Sequence, residues 1–292
     1  MKTRAKSALI MAPLLIIVFL GGYFLLAGVF MLSLLAIREY CDAFGDKKPV
    51  KWVLIASLCI LTISYCLYLV IDSLGLTTVS LSDISLMHSI MLPWVFVSLI
   101  LCFLSMFALE KRDLFQGMAT ITGIFYINFL AFHIVLIDNA YTIPISVGAF
   151  KFSGLNSYVW IVILAAFGTD IFAYLTGKAF GKHKLCPTIS PKKTIEGSIG
   201  GIIGSVILCG LFGWLFIPDR FIDFIIIGIV GSIIAQLGDL TASVMKRKLD
   251  IKDWGTLIPG HGGVLDRVDS ILFAAPFVYY FLLLKDLLIL TI

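Results

Sequence analysis

The sequence predicts an all-α fold, a polytopic transmembrane helical bundle of about nine membrane segments if a short N-terminal hairpin is counted as two. Three observations predict it. Of 292 residues, 60% are hydrophobic and only 14% charged, where a soluble domain carries about a quarter charged residues. The apolar residues fall into runs of helical spanning length, with no polar stretch long enough to build a separate core. The loops between runs alternate between rich and poor in Lys and Arg, the pattern that sets membrane orientation.

The N-terminus, MKTRAK followed by an apolar run from Ala8, has the look of a signal peptide. No A-x-A pattern closes it, so a retained anchor is expected. The run continues to Ile37, longer than one span needs, with Gly21-Gly22 in its middle. Basic residues flank it on both sides, Lys2, Arg4 and Lys6 before and Arg38, Lys47, Lys48 and Lys51 after. Two basic flanks favour a hairpin that returns to the side it left. Its arms are short for crossing, which leaves one strongly tilted span as the alternative.

Residues 52–71 and 91–109 read as spans, and the loop 72–90 between them has Asp72 and Asp83 but no Lys or Arg, which places it outside. Glu110 to Asp113 turn inside, 116–137 cross outward and 158–177 return. The loop from Lys178 to Lys193 carries five lysines and is cytoplasmic by the same rule. Residues 195–217 go out, 222–245 come back, and 268–290 exit. The N-terminus is expected inside and the C-terminus outside. Residues 1–155 thus form an N-terminal set of spans. Residues 156–292 form a C-terminal region with cytoplasmic loops at 178–194 and 246–267. No internal repeat is visible.

The net charge of +4 is modest and gathered on one side, which suits anionic lipids or phosphates and argues against nucleic acid. Five of the six cysteines lie in or beside apolar runs and no CxxC or Cys/His spacing occurs. A disulfide framework and a zinc site are therefore not expected.

Between Asp239 and Asp269 the sequence holds Asp239, Asp250, Asp253, Asp266 and Asp269 beside Lys246, Arg247, Lys248, Lys252 and Arg267. Charges flanked by lipid-soluble runs are costly unless they pair, bind ions or line a wet cavity. Asp239 stands seven residues before Lys246, and Asp170 seven before Gly177, so both sit at similar depth. Asp266 and Asp269 open the last span three residues apart, on one helical face. Four carboxylates from three helices can then reach one cytoplasmic-side pocket. Any one of them alone could equally be a structural acid paired with a nearby Lys, Arg or Tyr. Oxygen ligands completed by water and phosphate suit magnesium, and the number of acids leaves room for a second cation.

In Ser190 to Gly201, SPKKTIEGSIGG, Ser190-Pro191 is expected to start a helix whose free N–H groups, with Lys192, Lys193 and Thr194, form a phosphate cradle. It is not a Walker A loop, since the G-x-x-x-x-G-K-[ST] spacing is missing. The same lysines also suit a positive-inside anchor. Gly260, Gly262 and Gly263 admit close backbone approach to a ligand and positive φ. His261 is either an acid–base group or an ordinary loop hydrogen-bonder.

At these residues the sequence resembles the phosphatidate cytidylyltransferase, or CDP-diacylglycerol synthase, family. The signature is met by Ser243, Lys246-Arg247, Lys252-Asp253, Pro259, His261-Gly262-Gly263 and Asp266-Arg267-Val268-Asp269, without gap or shift. The upstream run from Asp170 through GKAFGKHKL to SPKKTIEG is similar as well. The resemblance covers the stretch from Asp170 to the C-terminus, and the first 150 residues match only in general character, as variable spans. It implies a magnesium-dependent enzyme of the inner cell membrane, active on its cytoplasmic face. That enzyme makes CDP-diacylglycerol and pyrophosphate from CTP and phosphatidic acid. It also implies a metal centre at Asp239 and Asp266, with a potassium ion beside the magnesium, and a homodimer. Asp269 and Asp170 are assigned as further ligands or their supports. Lys192, Lys193, Lys246, Arg247 and Arg267 are candidates for phosphate contacts, and Ser243 for metal or substrate. Two other readings stand beside it, a CTP-dependent lipid-alcohol kinase and an ion-coupled transporter.

Overall fold

The computed structural model describes residues 16–74, 83–107, 113–140, 144–147, 150–257 and 262–290. Among these, eight helices are long and apolar enough to cross a membrane. They are α1 (Gly22–Ala43), α2 (Lys51–Ser73), α3 (Asp83–Phe107), α4 (Leu114–Ala140), α5 (Ser157–Phe180), α6 (Ile195–Phe216), α7 (Pro218–Lys248) and α8 (Leu265–Leu290). Helices dominate because a backbone in hydrocarbon must satisfy its N–H and C=O groups within each span. The seven spans expected between residues 52 and 290 all correspond to helices.

Two short antiparallel hairpins depart from an all-α chain. β1 (Pro144–Val147) pairs with β2 (Phe150–Asn156) between α4 and α5, and β3 (Lys184–Cys186) pairs with β4 (Ser190–Thr194) between α5 and α6. The second pair corrects the expected helix start. Ser190-Pro191 lie in a strand, and α6 begins only at Ile195, where Thr194 caps it by accepting from the Gly197 N–H at 3.1 Å. A Pro that cannot donate is tolerated at the edge of a two-stranded ribbon, and a Thr N-cap is an efficient helix start.

The chain does reverse at Gly21-Gly22, where both glycines take positive φ, 60° and 52°. The Gly22 N–H is held by Asp138 Oδ2 at 2.6 Å. A helical turn at 16–20 precedes the reversal and lays Ile17 against Gly28. The second arm is not short: α1 runs 22 residues, a full crossing. Most of the first arm lies outside the described residues.

The core forms where α1, α2, α4, α5 and α8 face one another, with Ile37, Leu54, Ile137, Ile161 and Ala275 fully buried. By contrast Ile199, Ile203, Ile207 and Leu211 stand at four-residue spacing on α6 and are each about half exposed or more. In water that stripe would be a liability; against lipid it is an ordinary outer face. The opposite side of α6 is glycine. A Cβ on Gly201 would lie 2.9 Å from the Thr169 carbonyl oxygen of α5, and one on Gly197 2.8 Å from that of Ala173. Small residues four apart let two membrane helices approach to backbone contact. This close pairing fixes where α5 presents Asp170.

α7 is the longest span, 31 residues, or about 46 Å at the helical rise. It contains a π-helical stretch at Ile227–Gly231. An added residue in one turn shifts the phase of everything after it, including the row Gln236, Asp239 and Lys246.

Candidate active site

At one end of the bundle, α5, β4, the C-terminal half of α7 and the start of α8 enclose a polar cavity of about 570 Å³. Five acids line it (Asp170, Asp239, Asp253, Asp266 and Asp269), together with five cations (Lys178, Lys192, Lys193, Lys246 and Arg267). The four carboxylates expected to converge from three helices thus face one space.

They do so in different states. Asp239 Oδ2 is paired with Lys193 Nζ at 2.5 Å, a link from α7 to β4. Asp266 Oδ1 is paired with Lys246 Nζ at 2.6 Å, and Oδ2 accepts from the N–H groups of Trp254 (2.8 Å) and Gly263 (3.0 Å). This second pair is almost sealed, with side chains 10% and 4% exposed. A buried ion pair is tolerable when further hydrogen bonds satisfy it, as here. Asp269 is buried and accepts from the Ser270 N–H at 2.8 Å; the Ser270 hydroxyl donates to Asp170 Oδ2 at 3.3 Å.

Asp170, Asp239 and Asp269 lie within electrostatic reach of one another. Only Asp239 of these three has an ion pair among the described residues. On the other side of the ledger Lys178, Lys192 and Arg267 line the cavity without a carboxylate within ion-pair distance, again among the described residues. Acids and cations left unmatched side by side in one cavity have the chemistry to accept a cation and an anion.

Other expected site residues sit elsewhere. Arg247 does not line the cavity; its guanidinium donates to the carbonyls of Ile189 (3.3 Å) and Ile251 (2.9 Å), clamping β4's approach to the end of α7. Ser243 is buried on α7 one turn past Asp239 but is likewise not part of the lining. Thr194 is at the cavity with its hydroxyl engaged in capping. Glu196 ties the same corner together, accepting from the His183 ring at 2.6 Å and from the N–H groups of Lys182 and His183. His261, Pro259 and Gly260 lie outside the described residues.

Two of the three glycines are described, and both stand against the protein's own acids. Gly262 does take positive φ, 82°. A Cβ there would meet Asp266 Oδ2 at 2.8 Å, and one on Gly263 would run into the Glu39 carboxylate. They make room for the protein's own acids.

Glu39 is the residue that sequence reasoning missed. It lies on α1, buried, and its two oxygens accept from the N–H groups of Val264 (2.9 Å) and Leu265 (3.0 Å). A carboxylate there satisfies the orphan donors at the start of α8 and complements the helix dipole. It thereby sets the position of Asp266, Arg267 and Asp269 from the far half of the chain. Gln236 was also missed; it lines the cavity and accepts from the Ser198 hydroxyl at 2.5 Å.

A sequence model described as the cytidylyltransferase family matches residues 2–285. The phosphatidate cytidylyltransferase of Bacillus subtilis is 44% identical over 129 residues, which are 44% of this chain and 48% of that protein. The enzyme of the same name from Haemophilus influenzae is 48% identical over 129 residues, 42% of this chain and 44% of the relative. That from Synechocystis is 51% identical over 116 residues, 39% of each chain. The match therefore spans about half or less of the length of these curated relatives. The family's match covers residues 2–285, and the chain is a member of the cytidylyltransferase family.

Proposed function

We propose that this membrane protein transfers the cytidylyl group of CTP to phosphatidate, releasing pyrophosphate and leaving CDP-diacylglycerol, on the cytoplasmic face of the cell membrane. The observation that carries the reading is the pairing of unmatched carboxylates with unmatched Lys and Arg in one polar cavity at an end of the spans. The names of the relatives point the same way.

In this reading a phosphate oxygen of phosphatidate attacks the α-phosphorus of CTP, and the bond to the bridging oxygen of the β-phosphate breaks. The nucleophile is already an anion, so no strong general base is needed. The barrier is the approach of two polyanions, which repel strongly in a poorly screened pocket. Lys192, Lys193 and Arg267, all on the cavity wall, offset that repulsion and hold the phosphates in line. Lys193 is free to serve a phosphate when Asp239 takes another partner.

The donor set fits magnesium: every acid on the wall offers hard oxygen. Among the described residues no three His, Cys, Asp or Glu close on a single point. Magnesium does not require that, since one or two carboxylates, water and substrate phosphates complete its shell. Asp239 and Asp269 would hold it, with Asp170 as a further ligand or support. Asp266 has both oxygens engaged and would join the ion through Oδ1, which it shares with Lys246. When bound, the ion supplies charge neutralisation and polarisation of the phosphoryl oxygens. A potassium ion beside it and a homodimer are carried over from the resemblance.

CTP labelled at the α-phosphorus, supplied with vesicles containing both phosphatidate and diacylglycerol, tests the proposal. Label should enter lipid. Label in free CDP would indicate a lipid-alcohol kinase instead, and label unchanged in CTP a non-enzymatic role such as transport.

A further inference from the structure

Beside the polar cavity lies a second one of about 210 Å³, walled by α1, α4, α5 and α8. Its lining among the described residues is apolar except for Ser33 and Arg267. Among the described residues Arg267 alone belongs to both walls. Its buried Nε has no hydrogen-bond partner among them. A guanidinium nitrogen left unpaired between a wet, charged chamber and a dry one is costly unless an anion completes it. Apolar volume left vacant is costly as well, because its walls lose their packing partners.

Both costs are met by one kind of molecule, with an anionic head at Arg267 and a hydrocarbon tail running away from the charged chamber. We infer that the apolar cavity seats one acyl chain of the phosphatidate whose phosphate Arg267 holds, and that its small wall residues, Gly28 and Ala131, set the bulk of chain accepted. This rests on the proposed function and adds to it a lipid-selectivity surface shared by the two halves. Gly28 and Ala131 sit on α1 and α4, facing Val159 and Phe167 on α5. The four helices therefore grip the chain from both halves of the molecule, while the headgroup chemistry belongs to α5, β4, α7 and α8.

The test compares dioleoyl, dioctanoyl and diphytanoyl phosphatidate as substrates of the full chain in mixed micelles, read as ratios of kcat/KM. Ala131→Phe narrows the cavity and should lower the dioleoyl-to-dioctanoyl ratio about tenfold, the scale of one misfitted group in an apolar pocket. Phe167→Ala widens it and should raise the diphytanoyl-to-dioctanoyl ratio by a similar factor. Ratios at the wild-type value in both variants would overturn the inference. So would equal losses on every substrate in both, which would mean that something other than substrate fills the space. Failure of the underlying reading looks different: wild-type protein would then label none of the three lipids.

Discussion

The two halves of the bundle solve the same problem, burial of polar atoms at membrane depth, in opposite ways. In α1 to α4 the buried polar groups are mostly uncharged and several bond one another between helices, although Tyr126 Oη, Asn128 Oδ1 and His133 Nε2 have no partner among the described residues. The hydroxyls of Ser57 and Ser98 pair at 2.8 Å, Trp94 Nε1 donates to the Ser57 carbonyl at 2.8 Å, and Asn128 donates to that of Leu54 at 3.0 Å. In α5 to α8 charged groups face an open chamber and are only partly matched. Polar contacts between neutral groups tie a scaffold together, whereas unmatched charges on a chamber wall are open to a ligand. Glu39 is the exception that joins them, a charge from the first half spent on the second.

The comparison breaks most sharply at Asp239. Asp239→Asn keeps the shape but removes the charge facing Lys193 and the proposed cation. Turnover should fall by about 10²–10³-fold, with membrane insertion unchanged in a protease-accessibility assay. Asp266→Asn should match it and also lower the thermal midpoint in detergent, since opening the sealed pair with Lys246 costs about 3–5 kcal/mol. Full activity in either variant would remove that residue from the site.

Next comes the link between halves. Glu39→Ala leaves two N–H groups at the start of α8 without an acceptor, at about 1–3 kcal/mol. By displacing the acids behind them it should reduce kcat about 10–100-fold. Glu39→Gln, which keeps one acceptor oxygen, should recover part of both. An unaltered kcat in Glu39→Ala, measured with stability, would show that the halves are independent.

Smaller still is Gly201→Leu. The added side chain meets backbone of α5 and should destabilise by about 1–3 kcal/mol, seen as a lower thermal midpoint, with activity lost in proportion to Asp170 displacement. Ser57→Ala anchors the low end. It should cost about 0.6 kcal/mol, the usual scale of a membrane hydrogen bond, and leave kcat alone. If Ser57→Ala hurt catalysis more than Gly201→Leu, the division between scaffold and site would be wrong.

Most of this arrangement could be read from residues in order. Span positions follow from run length and loop charge. The meeting of Asp170, Asp239, Asp266 and Asp269 follows from their equal depth and helical phase, both local properties. What escaped depends on partners distant in sequence. Glu39 accepts from residues 225 and 226 positions away; the only hint in the sequence was an acid near the end of an apolar run. Gly262 and Gly263 were legible as places of close approach, but not what approaches them. Arg247 shared a basic run with Lys246, yet a step of one residue on a helix turns a side chain about 100°. Ser190-Pro191 looked like a helix start because the pairing that makes it a strand comes from Lys184–Cys186.

The carboxylate that α1 lends to the start of α8 also bears on how such proteins can be recombined. A chimera taking its first spans from one homologue and its last from another would assemble only if the donor segment brings an acid to that spot. An otherwise well-matched graft lacking it should insert, yet misplace its reaction centre.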